Sequence, residues 1–395
     1  MRSISSVLAA TLAFATVASA KWSVVSPSVA TIVADVSFTN ETTGYAPAGQ
    51  NGGGAEILKT TSSGQSWNTV YSGGALMYLA GAATGQSVVV AGPLTLKYSV
   101  NGGRTFNDSA QHSGFLGASQ SVSAVDNSFF GAAGSGLGGG NGVAVSSNGG
   151  KDFTFFNITA LKTESRYVSM VSKDVWYISA GEWPEQSRKE LVENLFGMQV
   201  HHRLSSRLAI AGYDQDASNA RVVVFPLTTD SNNANDDGGA SEWQAQIVKT
   251  TDGGKTFESV FWDEGNFYFN QISCADEDNC CAVGESDAGP APGVRIHCTN
   301  DGGKNWKRTF FTGEADLSVM AVEFVTSDIV WAAGGRLSST NFEGFFWQST
   351  DGGNTWSNET VPGVYGNHMS FPSESVGYAS SFDRDSQSSI LQYTA

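Results

Sequence analysis

Basic residues are scarce in this chain: 22 lysines and arginines stand against 38 acids, a net charge of -16 over 395 residues. Nucleic acid and anionic membranes would repel such a surface, so neither is expected as a partner. Long apolar runs are missing too. No stretch after the first twenty residues reaches the roughly eighteen apolar residues a membrane helix needs. The chain holds no G-x-S-x-G element, no His-Glu-x-x-His element and no phosphate loop. Cysteine is limited to four residues, Cys274, Cys280, Cys281 and Cys298, all in one segment. In an oxidising compartment an even count favours disulfides. Adjacent Cys280 and Cys281 would face opposite sides of a strand, which pairs Cys274 with Cys280 across a hairpin and Cys281 with Cys298 on the next strand; a metal site is the alternative.

What is present points outside the cytosol. The opening MRSISSVLAATLAFATVASA has an early Arg, an apolar run from Val7 to Val17 and small residues before Lys21. That is the pattern of a secretory signal peptide over residues 1–20. Asn40, Asn107, Asn157 and Asn358 each begin an N-x-[ST] triplet for glycan attachment. Glycine at 46 residues, few charges, and many valines, aromatics and serines read as short strands joined by tight turns.

One motif occurs six times, at Thr60–Trp67, Ser99–Phe106, Ser146–Phe153, Thr250–Phe257, Thr299–Trp306 and Ser349–Trp356, with the pattern [ST]-x-[DN]-G-G-x-[TS]-[WF]. The first copy has Ser62 in the Asp position; the second and third have Asn101 and Asn148. Physically it is a hairpin turn, with a side-chain acceptor for loop amides, glycines for positive φ, and an aromatic returning to the core. A looser unit precedes each copy. Taking Phe38, Gly81, Ala124, Met170, Cys274, Phe324 and Phe371 as equivalent gives steps of 43, 43, 46, 104, 50 and 47 residues, hence seven units.

The motif resembles the Asp-box, or bacterial neuraminidase repeat, of sialidases, sortilin, xyloglucanases and the photosystem II assembly factors. That resemblance implies an all-β, seven-bladed β-propeller over residues 21–395, in which the box is a structural turn away from the ligand face. The long step is read as an insertion in one blade, about 183–241. It is expected to hold a helix from Trp183 to Val200, a hairpin of Arg207–Ala211 with Arg221–Phe225, and a polar loop. The segment 21–25 is expected to supply the missing strand of the last blade, leaving only short, protected edges.

By the same resemblance, a ligand sits opposite the boxes, where the loops between second and third strands meet the blade-to-blade connections. Candidate acids there are Asp35, Glu164, Glu182, Asp263, Glu264 and Asp383, from which a glycosidase would need two carboxyls roughly 5 to 9.5 Å apart. Candidate binding residues are Trp183, Arg166, Arg336, Arg384, Tyr365 and His368. A sialidase would need three converging arginines, and its Arg-Ile-Pro signature is absent; a lyase would need a His or Tyr base, from among His112, His201, His202, Tyr365 and His368. The acidic loop Asp230–Asp237 misses the spacing of a calcium loop, and Gly134–Gly142 lies between strands, where no phosphate cradle fits. No cofactor or metal is expected. The leading expectation is a secreted, glycosylated, monomeric propeller that binds an extracellular carbohydrate or protein; the alternative is an extracellular glycoside hydrolase or lyase.

Overall fold

The computed structural model describes residues 21–30, 32–49, 54–73, 77–114, 116–136, 140–184, 208–210, 224–226, 242–337, 342–385 and 387–395. The leader of residues 1–20, the helix expected up to Val200, His201 and His202, and the Asp230–Asp237 loop lie outside the described residues, apart from Trp183 and Pro184.

Seven antiparallel sheets follow one another along the chain, and their first strands contact each other in a closed ring. These inner strands are Ile32–Val33 with Ser37–Phe38, Ala80–Thr84, Leu116–Ala124, Ser165–Met170, Tyr268–Cys274, Leu317–Phe324 and Val364–Ser373, defining blades 1 to 7. Blade 7 is completed by Lys21–Ala30, which pairs antiparallel with Ser388–Thr394 from Lys21 opposite Thr394 onward. The molecule is thus an all-β, seven-bladed propeller, with no helix among the described residues. Within blade 4, between Trp176–Glu182 and Gln244–Thr250, the short strands Leu208–Ile210 and Val224–Pro226 pair with one another. Blade 3 gains a fifth strand, Ala110–His112, parallel to Asp152–Asn157.

Second strands such as Gly44–Gly49, Ser87–Gly92 and Trp176–Glu182 are buried along their whole length, because neighbouring blades cover both faces. This is why they read as runs of small and apolar residues rather than as strict alternation. Their small residues allow close approach: a Cβ on Gly334 would lie 2.0 Å from the carbonyl oxygen of Ser318. The repeated turns also pack blade on blade. In the blade 6 turn, Gly353 has φ +87° and its Cβ would meet Cys281 and Cys298 sulfurs of blade 5 at 2.6 Å. Within these turns, Asp252 accepts from the amides of Lys255 and Thr256 at 3.0 and 2.9 Å. Ser62 performs a shorter version, accepting from the Ser66 amide at 3.1 Å.

Cys274–Cys280 and Cys281–Cys298 form disulfides, each joining directly opposed residues of neighbouring strands in blade 5. A metal site at these cysteines is thereby replaced by two bridges.

A ring of side-chain to backbone hydrogen bonds ties the inner strands together. Ser37 accepts from the amide of Ala83, Ser123 from Met170, Ser169 from Cys274, Ser273 from Phe324, Glu323 from Phe371, and Ser370 from Phe38, at 2.9 to 3.1 Å. Ala83, not Gly81, is therefore the blade 2 equivalent of Phe38 and Met170. The sequence alignment was two residues out because blade 2 has a shorter first turn, pairing Thr84 with Ser87. At the junction of blades 2 and 3 the acceptor position holds Ala82, and the ring has no such link there.

Candidate functional site

The inner strands of blades 3 to 7 each carry a register shift, between Ser119 and Ser121, Ser165 and Tyr167, Phe269 and Gln271, Val319 and Ala321, and Gly366 and His368. Such bulges re-aim consecutive side chains. In blades 5 and 7 the first residue of the bulge reaches toward the following blade: Asn270 donates to the Val319 carbonyl and Asn367 to the Ala34 carbonyl, both at 2.7 Å. Arg166 occupies the same position in blade 4. The next residue, three before the ring position, is Tyr167 in blade 4, Gln271 in blade 5 and His368 in blade 7, and these three belong to a polar cluster where inner strands meet.

That cluster centres on His368. Its Nδ1 lies 2.5 Å from Oδ1 of Asp35 in blade 1, and its Nε2 lies 2.8 Å from the Tyr167 hydroxyl of blade 4 and 3.0 Å from the Gln271 amide nitrogen of blade 5. Gln271 is oriented by the Val322 amide, which donates to its Oε1 at 2.6 Å. Asp35, almost fully buried, also accepts from the amides of Val36 and Gly81 at 2.6 and 2.8 Å. His368 keeps 14 % of its side chain exposed. Burial works against a charged imidazole, but the Asp35 carboxylate and the Glu323 charge outweigh it and hold the His368 pKa above its usual value. Burial, then the Asp35 charge, raises the Tyr167 phenol well above its ordinary range. Glu323, next to this cluster, is pushed up to about 7 by burial, opposed by the Phe371 amide and by His368.

A second cluster sits at the opposite end of the blades from the repeated turns, where blade 4 meets blade 5. The Arg166 guanidinium lies 4.8 Å from the Trp183 ring and 5.1 Å from the Tyr268 ring. Tyr268 stacks on Trp243 at 5.6 Å and 11°, and donates to Glu285 at 2.7 Å. Glu285 accepts further from the Val319 amide at 2.7 Å and from the Ser318 hydroxyl. Arg166 is 4 % exposed, and its Nη2 has no hydrogen-bond partner among the described residues. Glu164 and Glu182 are buried in the same part of blade 4, at the beginning of its first strand and the end of its second.

The remaining candidates are dispersed. Arg336 is clamped by Glu314 and Asp316 at 2.5 Å each. Asp383 caps its own turn, accepting from the amides of Asp385 and Gln387, while Arg384 is exposed within that turn. Asp263 accepts from the Asn266 side chain at 3.2 Å, and Glu264 is exposed. Trp183 and Tyr365, anticipated as exposed aromatics, are buried at 5 % and 0 %; Tyr365 stacks on Phe382 at 4.7 Å. Strand ends at the mouth of a propeller pack against the adjacent blade, and a large ring there is drawn in. Of the anticipated residues, Asp35 and His368 come into contact, and Arg166 with Trp183. Tyr167, Gln271 and Glu323 were not anticipated. The signal for the first two was available as the residue three places before Met170 and before Cys274, matching Asp35 and His368 before Phe38 and Phe371. Glu323 is the one acid at a position that holds serine in five other blades. Asn40, Asn107, Asn157 and Asn358 are all exposed. No group of three or more His, Cys, Asp or Glu side chains suited to a metal occurs among the described residues.

No family model and no curated protein matches the sequence. Among solved structures, the chain is similar to YCF48 bound to D1 peptide (13 % identity, 95 % of this chain and 96 % of that one, TM-score 0.58). It is also similar to the GH74 xyloglucanase from Xanthomonas campestris (10 %, 91 % of this chain, 53 % of that one, TM-score 0.54), about half of whose length it spans. A third likeness is to the PL25 ulvan lyase bound to a GlcA-Rha3S oligosaccharide (10 %, 94 % of each, TM-score 0.53). At these identities the likeness establishes a shared architecture, the seven-bladed propeller, and leaves the chemistry to this chain's own residues.

Proposed function

We propose that this protein is a secreted recognition propeller that binds an extracellular carbohydrate or protein at the loop-bearing end of blades 4 and 5. The observation that carries this reading is Arg166. Its guanidinium packs against the Trp183 and Tyr268 rings, which are themselves 5.3 Å apart and so lie to one side of it, and its N–H groups are the means of contact with an acceptor. A buried guanidinium lacking a hydrogen-bond acceptor on Nη2 is costly, and a ligand oxygen arriving there relieves that cost. Two solved neighbours accord with the reading, one carrying a peptide and one a uronate-containing glycan. Two disulfides suit an extracellular address, and no helix among the described residues is long and apolar enough to cross a membrane.

The test is retention of the glycosylated, disulfide-intact protein on a panel of immobilised polysaccharides and peptides. Arg166→Gln should weaken retention about tenfold or more, with the melting temperature following the loss separately. Arg166→Lys keeps the charge and loses the fork. Equal retention by wild type and both variants would remove this site from the binding surface.

The second reading is a glycoside hydrolase or lyase, favoured by the Tyr167–His368–Asp35 chain: a hydroxyl on a histidine that a buried carboxylate orients is an arrangement suited to proton transfer. Release of oligosaccharides by wild type, abolished in His368→Gln, would establish it over the first.

A further inference from the structure

Six of the seven inner-strand junctions share one link, an oxygen accepting the next blade's amide, and at five of them the oxygen belongs to serine. Serine does not titrate, so these links hold alike at every pH that proteins meet. The sixth is Glu323, and it joins blade 6 to blade 7. On its other side blade 7 meets blade 1 through Ser370 and, deeper in, through the His368–Asp35 pair. His368 Nε2 also contacts the Tyr167 hydroxyl of blade 4, which can donate to the neutral ring or accept from the cationic one, so this imidazole ties blade 7 to blades 1 and 4 in both states. The Gln271 amide nitrogen of blade 5 can donate to it only when the ring is neutral. Blade 7 is the blade assembled from distant parts of the chain, Lys21–Ala30 with residues 364–394. Its integrity relies on non-covalent contacts alone.

We propose that blade 7 is a pH-dependent latch, tight in mildly acidic surroundings and looser in alkaline ones, because Glu323 and the His368–Asp35 pair fasten its inner strand to the adjoining blades. The sign follows from charge. When Glu323 is neutral and His368 cationic, the cluster holds one carboxylate, Asp35, against one imidazolium. When both lose a proton, Glu323 and Asp35 are like charges that each feel the other and no longer have a cationic imidazole to offset them. For both groups the folded protein binds the proton more tightly than the unfolded chain does. Their stabilisation is therefore complete in acid and is lost as pH rises, from the ordinary carboxylate value through about 7 for Glu323, and above the ordinary histidine value for His368. Tyr167 stays protonated throughout.

Other charged groups around blade 7 are accounted for. Glu359 of blade 6 accepts from the Trp22 amide at 3.0 Å, and Glu41 of blade 1 from the Ser373 hydroxyl at 2.7 Å. Arg336 and Glu343 of blade 6, Asp383 of blade 7 and Glu374 in its first turn lie at the strand ends.

The measurement is hydrogen exchange of the intact protein at about pH 5.5 and about pH 8, with exchange times scaled for the intrinsic rate. Peptides spanning 21–30 and 364–373 are compared with 116–124 of blade 3. Protection of the blade 7 peptides should fall about tenfold more than that of blade 3 on going to the higher pH. Glu323→Ser installs the residue used at five other junctions and Glu323→Gln keeps the length; either should diminish the difference, the remainder being the share of the His368–Asp35 pair. Parallel changes in blades 3 and 7, or a difference undiminished in both variants, would overturn the latch.

Discussion

At the scale of single residues, the repeated turns show how local chemistry is read straight from composition. Asp252, Asp301 and Asp351 are held at about 2 by the residue four places on, Thr256, Asn305 and Thr355, whose amide and side chain both hydrogen-bond to the carboxylate. Their contribution is present above the ordinary carboxylate value and is lost as pH falls toward about 2. His297 works in the same direction at higher pH. Burial, with the charges of Arg295 and Arg308, depresses it to about 3, and it stacks neutral on Phe267 at 5.1 Å. Its stabilisation is complete above the ordinary histidine value and drains away as pH falls through about 3. His297→Phe should therefore flatten the decline in melting temperature between about pH 7 and pH 4; an unchanged slope would show that another group sets acid lability. Gly353→Ala combines a left-handed backbone with a Cβ pressed on two sulfurs, and should cost about 2 kcal/mol or more in denaturant unfolding.

Elements depend on contacts the sequence does not display. The inner strands are short and share little sequence, yet six of the seven present an oxygen to the next blade's amide. Ser273→Ala should cost about 1 kcal/mol, as expected for one buried hydrogen bond. Ala82→Ser should add the acceptor missing between blades 2 and 3 and stabilise by about 0.5–1 kcal/mol. Equal stability of both variants with wild type would mean that the ring is incidental to holding the blades together. Here the sequence was legible to within two residues: the seven units could be counted, but the blade 2 position was placed at Gly81 rather than Ala83. Turn length, which sets the phase of a hairpin, is shorter in that blade than in blades 1 and 3 to 6. Disulfide pairing was legible because opposed cysteines on a hairpin leave little choice, whereas the bulges that separate Arg166 from Tyr167 depend on how each inner strand registers with its second strand.

For the whole molecule, closure matters most. Lys21–Ala30 and Ser388–Thr394 meet edge to edge, and Trp22 is buried between Phe346 at 4.5 Å and Trp331 at 5.7 Å. Trp22→Ala should destabilise by about 3–5 kcal/mol and expose the edge of blade 7. A loss confined to Lys21–Ala30, with the other blades unaffected in hydrogen exchange, would show instead that the ring stands without this strand. Reduction of both disulfides, in contrast, should loosen blade 5 first, since both bridges lie within it.

By itself the sequence determined the number of units, the all-β architecture, the turn at each repeat and the cysteine pairing, because each rests on interactions among residues near in the chain. Only the tertiary structure decided which polar side chains meet. Asp35, Tyr167, Gln271, Glu323 and His368 come from five blades and up to 333 positions apart, and the ring closure alone brings them within reach. The burial of Trp183 and Tyr365 was decided the same way, by the flank of a neighbouring blade, since exposure is a property of what packs against a residue and not of the residue itself.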